Sequence, residues 1–244
     1  MPFVLPTLDA PTSRRDLLRT AATTAAAVAG AATVLGAPRS LLAAEAGAEA
    51  RYFPEVQTPD EAIQRLMEGN KRFVAGNIQA PNRNMARLRE VAGGQRPFAA
   101  FLGCADSRVP VEIVFDQGFG DIFVTRIAGN VADPAIIGSL EFGTLVLGAK
   151  VLCVLGHTKC GAVDATIKGQ EVPGQISTLY QHIRRAAKEA KGDLNAAIRR
   201  NVQVQAEILE EASPVLAKLM REGKLKVVGG VYDLDSGVVT MVDV

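Results

Sequence analysis

Two short stretches of the 244-residue chain gather side chains that bind metal ions and handle protons. In Cys104-Ala105-Asp106-Ser107-Arg108 a thiol, a carboxylate and a guanidinium alternate, so an extended backbone would project all three to one side. In His157-Thr158-Lys159-Cys160 an imidazole and a second thiol stand three residues apart, a spacing that puts both on one face of a turn. Two cysteines and one histidine are a soft donor set suited to tetrahedral zinc, and three protein donors leave the fourth corner to water or substrate, as catalytic sites do. Lys159 and a helix starting just after Cys160 favour the thiolate form of that cysteine. Two plainer readings stay open on the residues alone. Cys104 and Cys160 could form a structural disulfide, although this leaves Asp106, Arg108 and His157 without employment and the total of three cysteines is odd. Asp106 and Arg108 could be an ordinary ion pair supporting a loop. Cys153, inside an apolar run, reads as core, and His182 as a surface or partner-contact residue.

Both clusters directly follow short apolar runs bounded by turn residues, 98–103 and 151–155, as expected of strands covered on both faces. Segments 122–125 and 225–232 have the same character. Helical patterns occupy 134–147, 175–191 and 194–213, with Pro214 opening one more. The alternation predicts an α/β fold with a mostly parallel central sheet of four strands, right-handed crossovers and flanking helices. Segment 238–242, close behind Asp235-Ser236-Gly237, predicts an antiparallel edge strand. Thr58-Pro59-Asp60-Glu61 carries the cap, proline and acids of a helix start, so an N-terminal helical arm runs to about Val74, and a short helix is predicted within 82–89. In such a sheet ligands bind beyond the carboxyl ends of the strands, which is where both clusters fall.

The amino terminus has a different character. Ser13-Arg14-Arg15-Asp16-Leu17-Leu18-Arg19 precedes a charge-free, Ala- and Thr-rich stretch over 20–38 and small residues around Ala44-Glu45-Ala46. This resembles a twin-arginine export signal with an A-x-A-like cleavage site. The expected division is a removed signal over 1–46, a linker over 47–57 and a catalytic domain over 58–244. A periplasmic or extracellular location follows, with the twin-arginine translocation machinery as a transient partner. Ala, Thr and Gly supply little transfer free energy, which makes an uncleaved membrane anchor the lesser reading. With 27 basic against 26 acidic residues and a net charge of +1, the chain offers no surface for nucleic acid.

Cys104-Ala105-Asp106-Ser107-Arg108-Val109 and Gly156-His157-Thr158-Lys159-Cys160-Gly161 resemble the two signature motifs of β-carbonic anhydrases. Gly94-Gln95-x-Pro97, Phe123-Val124-x-Arg126-x-Ala128-Gly129-Asn130, Glu141-Phe142 and Val231-Tyr232-Asp233 extend the resemblance from about Thr58 to the C-terminus. The resemblance implies reversible hydration of CO2 to bicarbonate and a proton through a zinc-bound hydroxide. It implies one Zn2+ per subunit on Cys104, His157 and Cys160. Asp106, paired with Arg108, would orient the hydroxide, or would become a fourth zinc ligand in a closed state. Substrate contacts would come from Gln95, Phe123, Ala128, Phe142 and Gly161, with Ala128 smaller than the valine frequent there. An inhibitory bicarbonate site known in some members uses a tryptophan where this chain has Phe101, so that regulation is not expected, although Arg126 and Tyr232 match other parts of it. The family forms homodimers or homotetramers with clefts at the interface. Two other functions fit the same residues: a related zinc hydrolase acting on CS2 or COS, and a metal-free, disulfide-stabilised exported binding protein.

Overall fold

The computed structural model describes residues 55–244; the twin-arginine segment, the cleavage site and the first part of the linker lie outside the described residues. The first helix, α1 (Pro59–Val74), starts where its sequence signals place it. Thr58 accepts the Glu61 N–H at 3.2 Å while Glu61 accepts the Thr58 N–H at 3.2 Å, a reciprocal cap with proline at the first helical position. Asn84 caps a shorter helix, α2 (Met85–Val91).

Four strands then run parallel: β1 (Ala99–Gly103), β2 (Ile122–Arg126), β3 (Val151–His157) and β4 (Lys226–Tyr232). A fifth, β5 (Val239–Val242), pairs antiparallel with β4, and the order across the sheet is β2-β1-β3-β4-β5. A single turn of helix, α3 (Val111–Val114), follows β1. Helix α4 (Pro134–Glu141) passes into a wider π turn over Phe142–Val146, so the helical segment expected over 134–147 changes its winding at Phe142. The remaining helices are α5 (Gly161–Lys168), α6 (Ile176–Glu189), α7 (Leu194–Ala212) and α8 (Pro214–Arg221). Among the described residues no helix is long and apolar enough to cross a membrane.

The strands are apolar on successive residues because the sheet is covered twice. Ala100, Leu102, Leu152 and Val154 face Ile183 of α6 and Ile198, Val202 and Leu209 of α7. Ala99, Phe101, Val151, Cys153 and Leu155 face Ala62 and Leu66 of α1 and Val111 and Val114 of α3. Helix α7 lies unusually close to β3: a Cβ on Gly156 would stand 2.7 Å from Val202 Cγ2, so only glycine lets the two elements touch.

The chain between α1 and α2 is tied down by one fully buried carboxylate. Asp116 accepts from Arg72 Nε at 2.7 Å, Gln79 N at 3.1 Å and Ala80 N at 2.9 Å, and Arg83 lies 3.5 Å away. Removing one side of a buried, hydrogen-bonded ion pair leaves the other charge uncompensated. Asp116→Asn is therefore expected to lower the urea-unfolding free energy by about 3 kcal/mol. A loss below about 1 kcal/mol would place the network at surface-pair strength and contradict this account.

Candidate metal centre

The sheet order decides which side chains meet. Because β1 and β3 are neighbours with Gly103 opposite Leu155, Cys104 emerges beside Gly156 and next to His157. Cys160 is the residue before α5, and Lys159 in the left-handed region (φ 57°) makes the sharp turn that returns Cys160 toward His157. The donor atoms of Cys104, His157 and Cys160 all lie within 4.8 Å of one another, and all three residues are buried. Both cysteines are free thiols, so the structural disulfide considered from the sequence does not form.

The imidazole is prepared for one role. His157 Nδ1 lies 2.9 Å from the Thr158 carbonyl, an acceptor only, so Nδ1 carries the proton and Nε2 presents its lone pair. Nε2 is buried without a hydrogen-bond partner. Donors sharing one tetrahedral zinc stand about 3.5–3.8 Å apart given ordinary Zn–S and Zn–N lengths, so a cluster of this size, softness and orphaned nitrogen fits that ion. The thiol of Cys104 is held well below its ordinary range, first by the hydrogen bond from Cys160, and Cys160 is pushed up by the same bond. A divalent cation at the site would favour the thiolate form of both cysteines.

The backbone turns after Asp106 instead of running extended to Arg108: Val109 N donates to Asp106 O at 3.0 Å and closes the turn. Within it Asp106 Oδ1 accepts from Arg108 N and Nε, each at 2.9 Å, and Oδ2 accepts from Arg108 Nη2 at 2.7 Å. These bonds hold the Asp106 carboxyl well below the usual carboxylate range, with the Arg108 side chain the leading cause. Asp106 Oδ2 stands 3.8 Å from His157 Nε2 while remaining tied to Arg108.

Other expected residues are spread differently. Gly161 opens α5 directly after Cys160, and Ala128 adjoins Gly129, whose N–H donates to Cys104 Sγ at 3.3 Å. Phe123 is level with Ala100 in the sheet, four residues before Cys104, and its ring packs 6.4 Å from Phe142, which is 48% exposed. Gln95 lies at the opposite end of the sheet, where it lines a cleft of about 680 Å³ with Phe98, Asp121 and Lys150. Within one chain, Gln95, Phe123 and Phe142 therefore do not line the metal site. A residue before a strand and a residue after it sit a strand length apart, which motif spacing does not reveal.

Sequence reading gave Arg126 no task at the site, yet Arg126 Nε donates to Cys104 O at 2.9 Å and Nη2 to Asp106 O at 2.5 Å. It clamps the backbone that carries a donor and the carboxylate. Thr158 is a second omission: its N–H donates to Tyr232 O and its hydroxyl accepts from Leu234 N at 3.0 Å, fastening the His157 turn to β4. Cys153 is 2% exposed, with burial pushing its thiol up to about 12, and belongs to the core as expected. His182 is half-buried on α6.

A parallel α/β sheet presenting two thiols, an imidazole and an arginine-held carboxylate at its carboxyl edge carries a candidate soft-donor, three-ligand metal site. Comparison with known proteins supplies the class: the family profile described as Carbonic anhydrase matches residues 99–239. Carbonic anhydrase 2 of Mycobacterium tuberculosis is 38% identical over 187 residues, covering 73% of this chain and 90% of that protein. The β-carbonic anhydrase CafA of Aspergillus fumigatus superposes with a TM-score of 0.59 at 27% identity, over 74% of this chain and 90% of that one. A structure from a study of two tetrameric β-carbonic anhydrases of Sordaria macrospora superposes with a TM-score of 0.60 at 22% identity, over 75% and 97%, a likeness of fold. The chain belongs to the β-class carbonic anhydrase family, and it is a carbonic anhydrase.

Proposed function

We propose that the protein hydrates CO2 reversibly to bicarbonate and a proton at one zinc ion per chain, held by Cys104, His157 and Cys160. The observation that carries this reading is the buried, unpartnered His157 Nε2 facing two free thiols, with the Asp106 carboxylate 3.8 Å away. A zinc ion there supplies the Lewis acidity that makes water nucleophilic near neutral pH. Asp106 does the positioning. Its oxygens carry no proton and are turned by Arg108, so the carboxylate accepts the O–H of the attacking water and leaves a lone pair directed at the carbon of CO2. Paired in this way, Asp106 is kept from acting as a fourth donor; its release from Arg108 would allow that closed state.

Cys104 and Cys160 bring two negative charges to a divalent cation, where three neutral imidazoles would leave its charge intact. The activated water should therefore lose its proton at a more alkaline pH than in a three-histidine site. The expected result is a kcat/KM for CO2 hydration that rises from pH 6 to pH 9 in protein holding about one zinc per chain, the stoichiometry of a catalytic site. Stopped-flow hydration assays beside metal analysis check it, and a flat profile or metal-free active protein would refute it. The same preparation offered CS2 and COS separates a sulfide-releasing hydrolase from a CO2 hydratase.

Phe123, Phe142 and Gln95 enter this proposal through assembly. Phe142, Leu145 and Val146 expose apolar surface beside Phe123, and Gln95 faces a cleft away from its own Cys104. A homodimer or homotetramer, the latter reported for the Sordaria proteins, would let one chain complete another's substrate pocket. Export belongs to the proposal as well, resting on Arg14-Arg15 and the uncharged stretch that follows. N-terminal sequencing of the exported chain is its check.

A further inference from the structure

The sulfur of Cys104 accepts a hydrogen bond from the backbone of Gly129, and the geometry of that bond is set from a distance. Gly129 and Asn130 both adopt left-handed backbone (φ 75° and 44°), and a Cβ on Gly129 would stand 2.6 Å from Ile183 Cδ1. Such a turn is not self-holding for ordinary residues. Local backbone bonds supply part of its support: Ile127 N donates to Gly103 O and Asn130 N to Ile127 O. The remaining support is a side chain more than seventy residues away in sequence. Asn201 Nδ2, on the sheet-facing side of α7, donates to the Gly129 carbonyl at 2.8 Å.

Asn201 is itself held. Its Oδ1 accepts from Gln205 Nε2 at 3.1 Å, one helical turn on, and Gln205 also bonds Ala132 N at 2.8 Å and the His182 carbonyl at 3.1 Å. The two amides are 1% and 0% exposed. Their neighbours on α7, Ile198, Val202 and Leu209, are the apolar residues that a buried helix face ordinarily carries throughout. Buried amides are costly unless fully bonded, and bonded networks of this kind fix one geometry in place of several. The bonds of this pair converge on the 129–132 turn and on α6, not on solvent.

We propose that Asn201, locked by Gln205, is a positioning residue for the metal centre: it holds the Gly129 turn so that the Gly129 N–H is aimed at Cys104 Sγ and sets how strongly that sulfur donates to the ion. The inference rests on the zinc reading above. A thiolate that accepts a hydrogen bond gives up electron density less readily than a bare one, and supporting groups of this kind change metal affinity by about 10- to 100-fold.

Cobalt(II) loaded into the purified full chain provides a probe independent of turnover, because the thiolate-to-cobalt charge-transfer band reports the electron density on the sulfurs. In Asn201→Leu the band is expected at longer wavelength than in the wild type. Asn201→Ser, too short to reach the Gly129 carbonyl and gentler on packing, reads the same shift should the leucine variant not fold. Asn70→Leu is the control: Asn70 is equally buried and bonds Val114 O, Gly237 O and Val239 N, so its loss lowers the melting temperature and leaves the band in place. A folded Asn201 variant that binds cobalt with the wild-type band overturns the role of Asn201 and leaves the metal reading intact. Wild-type protein that takes up no cobalt sinks the metal reading, and this inference with it.

Discussion

Substituting serine for Cys104 is expected to drop the zinc content from about one per chain to less than about a tenth, and to lower CO2 hydration by roughly 10³-fold or more. Three properties of the site make the effect large. An alkoxide is a poor substitute for a thiolate toward a borderline-soft ion, and a serine hydroxyl does not ionise near neutral pH. The donor set has only three members, so losing one leaves Cys160 and His157 to hold the ion alone. The position is buried, so solvent does not replace the missing donor freely. Serine is nearly isosteric, and the fold should survive, which circular dichroism can verify. Cys153→Ser is the internal comparison. That thiol sits inside β3 against the α1 face of the sheet, away from the other two cysteines, and its loss should cost about 1 kcal/mol of stability with zinc and activity retained. Zinc retained in Cys104→Ser, or lost in Cys153→Ser, would mean that the ligands have been misassigned.

Asp106→Asn should separate binding from turnover. The side chain of Asp106 is engaged with Arg108 through both oxygens and is not among the three donors that fit the ion, so zinc content should remain near one per chain. Turnover should fall by about 10²-fold, the scale of a lost proton-handling group. The asparagine amide presents a donor where the carboxylate presented an acceptor. Either that donor meets the Arg108 guanidinium and breaks the pairing, or it faces the reacting water and points its proton at the wrong partner. The first outcome frees the side chain from the guanidinium that orients it, the second removes the acceptor for the water O–H, and both leave shape and burial alike. Metal analysis and steady-state kinetics on one preparation suffice, and loss of zinc in this variant would reassign Asp106 from positioning to ligation.

Much of the molecule is legible one segment at a time. Continuous apolar runs announced β1 and β3 because both faces of those strands are covered, and Thr58-Pro59-Asp60-Glu61 announced α1 because a capping box is made within four residues. The single turn of α3 and the change of winding at Phe142 left no comparable mark, since neither has a repeating pattern long enough to read. Asn201 and Gln205 did leave one, a pair of amides at i and i+4 among the apolar residues of α7, although their targets lie far off in sequence.

Residue types and short spacings by themselves determined that this protein carries two thiols, an imidazole, a carboxylate and a guanidinium at strand ends, and hence what chemistry it can perform. Tertiary structure alone decided that they meet. The order β2-β1-β3 sets Cys104 beside His157, the turn at Asp106 brings its carboxylate to within 3.8 Å of His157 Nε2 while Arg108 holds it, and the same sheet sends Gln95 to the far edge. Local patterns record backbone periodicity over a few residues, whereas convergence depends on which strands pair and how closely a helix such as α7 can approach them.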